Sequence, residues 1–282
     1  MYMQPVATLR LLFVLLLAGI LYAQGPAPAR PLVIAQISDT HLGEPRAPHA
    51  AQNLRLAVQM INSRHVDAVV LTGDIGENPQ NWQAARAILN DLSSSLYFVP
   101  GNHDVHTSDV NRYRSVFGDD YYSFTIRNID FIVIDSQLLG NYEQYGAMTP
   151  PPLPPESQRE SQKMLLWLAN HAAREKDRVV IGLQHIPPVR DGGFPPDPKP
   201  YWVMSEPYRS TEIALLHDLG IKHMLVGHWH NARVFQWEGI TWHVGPSTSW
   251  LPWGGELGFA IHSITPDGNV RTEFVDLPNA QP

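Results

Sequence analysis

Aspartate, histidine and asparagine recur in this chain just after short apolar runs. Asp39-Thr40-His41 follows the run 32–37, Gly73-Asp74 the run 66–71, and Gly101-Asn102-His103-Asp104 the run 96–99. Gln184-His185 follows 179–183, and Gly227-His228-Trp229-His230 follows 223–226. Alone, each pattern reads more simply as a helix cap or a turn. Five in succession, each at the end of a predicted strand, do not, because the carboxyl ends of strands in a parallel α/β sheet open into one crevice. Carboxylate, imidazole and carboxamide are the donors that hard and borderline divalent cations take. The types and spacing fit two ions sharing one carboxylate. Asp39-x-His41 and His228-x-His230 set side chains two residues apart in non-helical turns, Asp74 has two oxygens with which to bridge, and Asn102 offers a neutral oxygen that limits the charge. Two ions about 3.5–4 Å apart can polarise a phosphoryl oxygen, generate hydroxide from a bound water and clamp an in-line displacement. Gly73, Gly101 and Gly227 are expected to let the backbone turn tightly beneath them.

The elements that must position these residues alternate in type. Strands are predicted over 32–37, 66–71 and 96–99, with helices over 52–63 and 81–92 between them; Leu54, Ala57, Val58 and Ile61 carry helical spacing. Such alternation implies parallel strands joined by right-handed crossovers. A hairpin is expected over 121–126 and 130–134 around Asn128. A long amphipathic helix with a solvated charged face follows over 156–174, and a shorter helix over 210–219 between strands 179–183 and 223–226. Residues 233–236, 241–244, 260–265 and 271–276 read as further strands, the last two joined by an Asp267-Gly268 turn. Two Pro-rich stretches, 150–155 and 187–200, are insertions between elements.

The ordered set Asp-x-His, Gly-Asp, Gly-Asn-His-Asp, His and Gly-His-x-His resembles the calcineurin-like metallophosphoesterase superfamily from residue 32 to about 246. The resemblance implies an α/β fold, a four-layer sandwich of two mixed β-sheets flanked by helices, with a dinuclear metal centre. Asp39, His41, Asp74 and His230 resemble the ligands of one metal, and Asp74, Asn102, His185 and His228 those of the other. His103 resembles the group that contacts the phosphate and protonates the leaving alkoxide, and Asp104 its orienting partner. The implied cofactors are two divalent or mixed-valence ions of Mn, Fe or Zn, and the implied reaction is hydrolysis of a phosphoester, phosphatase type, by metal-bound hydroxide. Purple acid phosphatases carry a tyrosine ligand where this chain has Glu77, and the large Ser/Thr phosphatases carry Gly-Asn-His-Glu where it has Asp104. The stretches 184–187, 220–222 and 227–231 are most similar to the calcineurin-like phosphoesterase domain-containing protein 1 type. Class III cyclic-nucleotide phosphodiesterases share the metal set and are the rival reading. A non-catalytic metal- or phospho-ligand-binding protein is a second rival, against which the intact His103-Asp104 pair argues. A structural surface protein held by an anchor is a third.

Composition agrees with an enzyme of this size. The chain of 282 residues is 44% hydrophobic and 17% charged, which excludes disorder, a coiled coil and a multi-span membrane protein. The net charge of -7 and the lack of a basic block argue against non-specific nucleic-acid binding, and none is expected. With no cysteine, disulfides, thiolate metal sites and Cys nucleophiles are excluded, and the 13 histidines point to metal or proton chemistry. Arg10 precedes an apolar run, 11–23, that is shorter than the roughly 20 residues of a membrane span. Residues 1–23 are therefore expected to be a signal peptide, 24–31 a Pro/Ala linker and 32–277 the metallophosphoesterase domain of an exported protein, with an uncleaved anchor over 11–23 as the alternative.

Of the aromatic residues, Trp229 is expected at the rim of the site, Trp237 and Trp242 in the core, and Trp250 and Trp253 in a loop that could line a substrate pocket. Tyr201, Trp202 and Tyr208 follow His185 at the Pro-rich insertion, which reads equally as a lid or a packed surface loop. His243 is expected to be an ordinary strand histidine, and His49, His65, His106, His171, His217, His223 and His262 to be structural.

Overall fold

A computed structural model of the chain describes residues 30–105, 110–172 and 178–282. The expected signal segment, all but the end of the linker, His106 and the last two residues of the helix predicted over 156–174 lie outside the described residues.

Two β-sheets stack face to face. The first has five strands in the order β11 (Val270–Asp276), β10 (Gly258–Ile264), β1 (Leu32–Ile37), β2 (Ala68–Thr72) and β3 (Ser95–Val99). The second has six, in the order β4 (Tyr122–Ile126), β5 (Ile129–Val133), β6 (Val179–Leu183), β7 (His223–Val226), β9 (Ile240–Val244) and β8 (Arg233–Trp237). Strands β1, β2 and β3 are parallel, as are β5, β6, β7 and β9, and antiparallel strands complete each sheet. Both sheets are mixed, as the resemblance implied.

Strand composition follows from burial on both faces. Along β1, Ala35 and Ile37 pack outward against helices α1 (Ala50–Asn62) and α2 (Pro79–Leu89), while Leu32 and Ile34 face the second sheet. Side chains alternate faces with period two, so a strand covered on both sides reads as a continuous apolar run. Phe131, Val133, Ile181, Leu183 and Leu225 meet Ile34, Val70 and Val99 between the sheets. Helices α4 (Pro155–Ala172) and α5 (Tyr208–Asp218) cover the outer face of the second sheet through Met164, Leu168, Ile213 and Leu216. Each such side chain contributes about 1.5–3 kcal/mol by leaving water.

Helix α2 begins where its sequence dictates: Asn78 Oδ1 accepts from the Gln80 and Asn81 amides, and Pro79 occupies the first turn, where no N–H is needed. A helix α3 (Val110–Phe117), not among the predicted elements, follows β3; Tyr113 is buried in the core that α1 and α2 share with the first sheet, and Val110, Val116 and Phe117 pack against that core on the same side. Register sets the strand ends level. Ile37 pairs with Leu71 and Thr72 with Val99 in one sheet, Leu183 with Leu225 in the other. The loops after β1, β2, β3, β6 and β7 therefore emerge on one edge of the sandwich.

Candidate metal centre

Asp39 and His41 leave β1, Asp74 leaves β2, Asn102 to Asp104 leave β3, His185 leaves β6, and His228 and His230 leave β7. The structure gathers six of these, Asp39, His41, Asp74, His185, His228 and His230, into one buried cluster that draws on both sheets. Ligand-capable atoms of Asp39, His41, Asp74 and His230 lie within 4.8 Å of one another, as do those of Asp74, His185 and His228. Asp74 belongs to both groups, its Oδ2 lying 3.4 Å from His41 Nε2 and 3.2 Å from His185 Nε2. His230 Nε2 is 3.2 Å from Asp39 Oδ1. The convergence is bought with backbone strain, since Asp39, His41, Asp74, His228 and His230 all have positive φ, between 39° and 70°. Of the three glycines, only Gly73 turns through positive φ, at 91°. Gly101 and Gly227 serve close approach instead: a Cβ on Gly101 would stand 2.2 Å from Asp74 Oδ1, and one on Gly227 2.2 Å from Ser38 Oγ.

Donor chemistry shows that the cluster fits cations. His185 Nδ1 donates to the Thr72 carbonyl at 2.6 Å, His230 Nδ1 to the Trp250 carbonyl at 2.9 Å, and His41 Nδ1 to Glu77 Oε1 at 2.8 Å. In a neutral imidazole the other nitrogen is then a lone pair, and all three Nε2 lone pairs face inward. His228 is turned round: its Nε2 donates to the Tyr201 carbonyl at 3.0 Å, which leaves Nδ1 as its lone-pair nitrogen. Lone pairs packed against each other and against carboxylates repel unless a cation lies between them, and ligating histidines characteristically anchor their second nitrogen on a carbonyl or carboxylate. Two buried atoms, Asn102 Oδ1 and His185 Nε2, have no hydrogen-bond partner. Burial alone would lower the His185 pKa, but with no ion bound Asp74 and Asp39 outweigh it and lift it to about 9, so a proton on Nε2 holds the place from which a cation would displace it. Burial likewise opposes ionisation of Asp74, yet His185, His103 and His41 hold its carboxyl well below the usual range. The cluster thus concentrates negative charge that a cation would neutralise.

His103 stands beside this cluster, with one correction to the sequence reading. Its Nδ1 lies 3.0 Å from Glu77 Oε2, so Glu77, not Asp104, orients the ring. The Asp104 carboxylate is spent on backbone amides, accepting from Ile75 N at 2.8 Å and Gly101 N at 3.0 Å, and so ties the loop after β3 to the loop after β2. Burial would depress the His103 pKa, but Asp74 and then Glu77 raise it to about 9. Burial would raise that of Glu77, but its hydrogen bonds to His103 and His41 bring it to about 2. At neutral pH the pair is therefore an ion pair. Glu77 entered the sequence reading only as the position that lacks a tyrosine. The signal that could have found it is its place three residues after Asp74 in a loop that must curl back over the site.

The family model described as Calcineurin-like phosphoesterase matches residues 32–232. The chain belongs to the calcineurin-like phosphoesterase family. It is 25% identical over 236 residues (77% of this chain, 80% of the relative) to a Fibrobacter succinogenes protein named a probable cyclic nucleotide phosphodiesterase. It is also 25% identical over 247 residues (81% and 74%) to the serine/threonine-protein phosphatase CPPED1 of Danio rerio. Its fold matches that of a dimetal phosphatase from Danio rerio with a TM-score of 0.65 at 17% identity, covering 88% of this chain and 99% of that one. The protein is thus a metallophosphoesterase, a hydrolase of phosphoester bonds from a family that depends on dinuclear metal centres.

In this calcineurin-like phosphoesterase a cleft of about 540 Å³ opens from His103 and is lined by Arg46, Tyr145, Tyr201, Trp202, Trp250 and Trp253. The loop after β6 contributes Tyr201, whose hydroxyl accepts from Asn102 Nδ2 at 2.7 Å, so that insertion walls the site. Arg46 lies over the Trp250 ring at 4.0 Å and is held by Glu44 at 2.8 Å. Trp250 and Trp253 thus line the cleft, as the loop composition allowed. Trp229 does not: it is fully buried, stacks 5.6 Å from Phe235, and donates from its indole to the Trp202 carbonyl at 2.8 Å. With His228 and His230 both turned into the cluster, the residue between them is driven the other way, into the core of the second sheet. Tyr208, at the start of α5, packs on that same core, as do Trp237 and Trp242. Among the described residues no helix is long and apolar enough to cross a membrane.

Proposed function

We propose that the protein hydrolyses a phosphomonoester, with Asp39, His41, Asp74 and His230 holding one ion, Asp74, Asn102, His185 and His228 the other, and His103 acting as general acid. The observation that carries this reading is the His103–Glu77 ion pair, set beside the shared Asp74 at the mouth of the cleft. Manganese, iron and zinc all suit the donor set. When bound, the ions supply Lewis-acid polarisation of the phosphoryl oxygens and lower the pKa of water. Glu77 holds the Nδ1 proton of His103, so that Nε2 presents its proton to the leaving alkoxide. Arg46, fixed over Trp250, presents a guanidinium to an anionic oxygen, and the aromatic walls seat the leaving group and exclude water.

With added Mn²⁺, p-nitrophenyl phosphate should be turned over faster than bis(p-nitrophenyl) phosphate. Protein that binds two ions per chain and hydrolyses neither would leave a binding protein. Preference for the diester would favour a cyclic-nucleotide-phosphodiesterase-like activity. The breadth of the cleft and the Fibrobacter relative's name lend that second reading its support.

We also propose, from the charged and apolar pattern of residues 1–23, that the protein is exported and cleaved near Ala23. N-terminal sequencing of exported protein should start near Gln24 to Pro26; a start at Met1 would favour an anchor.

A further inference from the structure

The layer between the two sheets is apolar over most of its area, but one lane through it is polar. On β7, β9, β11, β10, β1 and β2 the residues facing the opposite sheet include His223, His243, Thr272, His262, Gln36 and Thr72. They form an unbroken series of hydrogen bonds. His223 Nδ1 lies 3.1 Å from His243 Nε2, and His243 Nδ1 lies 2.7 Å from Thr272 Oγ1. Thr272 Oγ1 is 2.9 Å from His262 Nδ1, and His262 Nε2 is 2.9 Å from Gln36 Oε1. Gln36 Nε2 donates to Thr72 Oγ1 at 2.9 Å, Thr72 Oγ1 to Ser38 Oγ at 2.9 Å, and Ser38 Oγ to Asp39 Oδ2 at 2.5 Å.

One fixed member, Gln36, sets every proton in the series. Gln36 Nε2 also lies 2.8 Å from the Val226 carbonyl, which can only accept, so the amide nitrogen points that way and Oε1 points at His262. An amide oxygen can only accept, so His262 carries its proton on Nε2 and accepts at Nδ1 from the Thr272 hydroxyl. That hydroxyl accepts in turn from His243 Nδ1, and His243 Nε2 accepts from His223 Nδ1. All donation runs one way, from the half-buried His223 to the Asp39 carboxylate, provided that His243 and His262 are neutral. Both are: burial first, then the neighbouring histidines, push His243 down to about 3 and His262 well below its usual value.

The series ends on Asp39 Oδ2 and so leaves Oδ1 facing the cluster, 3.2 Å from His230 Nε2 and 3.9 Å from His185 Nε2. Gln36 sits where three ligand-bearing strand ends meet, bonded to Thr72 before Asp74 and to Val226 before His228. Gly245 makes room for it, since a Cβ there would stand 2.8 Å from Gln36 Nε2. Buried polar series in a low-dielectric core are rigid when every member is satisfied.

We propose that Gln36, His262, Thr272 and His243 are positioning residues that orient the Asp39 carboxylate across the sheet interface, so that metal affinity depends on a hydroxyl on the edge strand β11. This rests on Asp39 being a ligand. The test compares Thr272→Val, which is isosteric but breaks the series, with Thr272→Ser, which keeps the hydroxyl. Mn²⁺ affinity is read by chelator competition, and ring tautomers by ¹⁵N NMR of histidine-labelled, metal-free protein. Thr272→Val should weaken the tighter-bound ion about 10-fold, the low end for loss of an outer-shell partner, while Thr272→Ser stays near wild type. Wild-type spectra should show His262 as the Nε2–H tautomer and His243 as Nδ1–H. Unchanged affinity in Thr272→Val, equal loss in both variants, or a His262 Nδ1–H tautomer would overturn the proposal. Wild-type protein that binds no Mn²⁺ would overturn the ligand reading of Asp39 and this role with it, and intact tautomers would then show that the hydrogen-bond series itself is sound.

Discussion

Glu77 Oε2 lies 3.0 Å from His103 Nδ1, while Oε1 of the same carboxylate lies 2.8 Å from His41 Nδ1. One side chain thus orients both the general acid and a proposed ligand. Glu77→Gln has one acceptor oxygen left and can serve only one of the two rings. It should lower kcat about 10- to 100-fold and weaken binding of the ion on His41. Kinetics combined with metal analysis would show this; a variant with wild-type kcat would mean that His103 needs no partner.

His103→Ala should keep both ions and lower kcat by about 10²–10⁴-fold, the usual range for lost acid–base assistance. The loss should shrink for esters of good leaving groups, which need little protonation. Steady-state kinetics on a p-nitrophenyl and an alkyl phosphate measures the difference. Recovery on adding excess metal would mark His103 as a ligand instead.

Asp74 is common to the two groups of ligand-capable atoms proposed to hold the ions. Asp74→Asn should therefore lose both ions and activity together. Elemental analysis that still finds two metals per chain would refute the bridging assignment.

Glu212 on α5 is fully buried beside Gln184, the residue before His185, and burial raises its pKa from 4.5 to about 8. The fold therefore favours the protonated form. The unfolded chain releases that proton near 4.5, so the stabilisation is complete below pH 4.5 and is lost as pH rises towards 8. Each unit in that window costs at most about 1.4 kcal/mol. Glu212→Gln removes the dependence, so its melting temperature should fall less than wild type's between pH 5 and pH 8.5. Parallel shifts of the two proteins would show that the group is ionised in the fold.

Most of the elements, α3 excepted, and the cluster members were legible in the sequence because both are local. A strand covered on both faces must be apolar throughout, and a residue at its carboxyl end must enter the crevice there. Hence Asp39, His41, Asp74, Asn102, His185, His228 and His230 could be named in order along the chain. What lay beyond reach depends on which way a side chain turns. Trp229 lies between two proposed ligands and yet faces the core, because His228 and His230 take up positive φ and leave it the opposite direction. Asp104 adjoins His103 in sequence but caps amides, while Glu77, 26 residues earlier, reaches the ring. His243 and His262 are strand histidines as their sequence suggests, but their connection to Asp39 exists only because the two sheets press their inner faces together. Residue type and spacing determined what chemistry the chain could do. Packing across the sheet interface decided which groups orient it, because a hydrogen bond depends on direction and distance in space, and these are set by elements far apart in the chain.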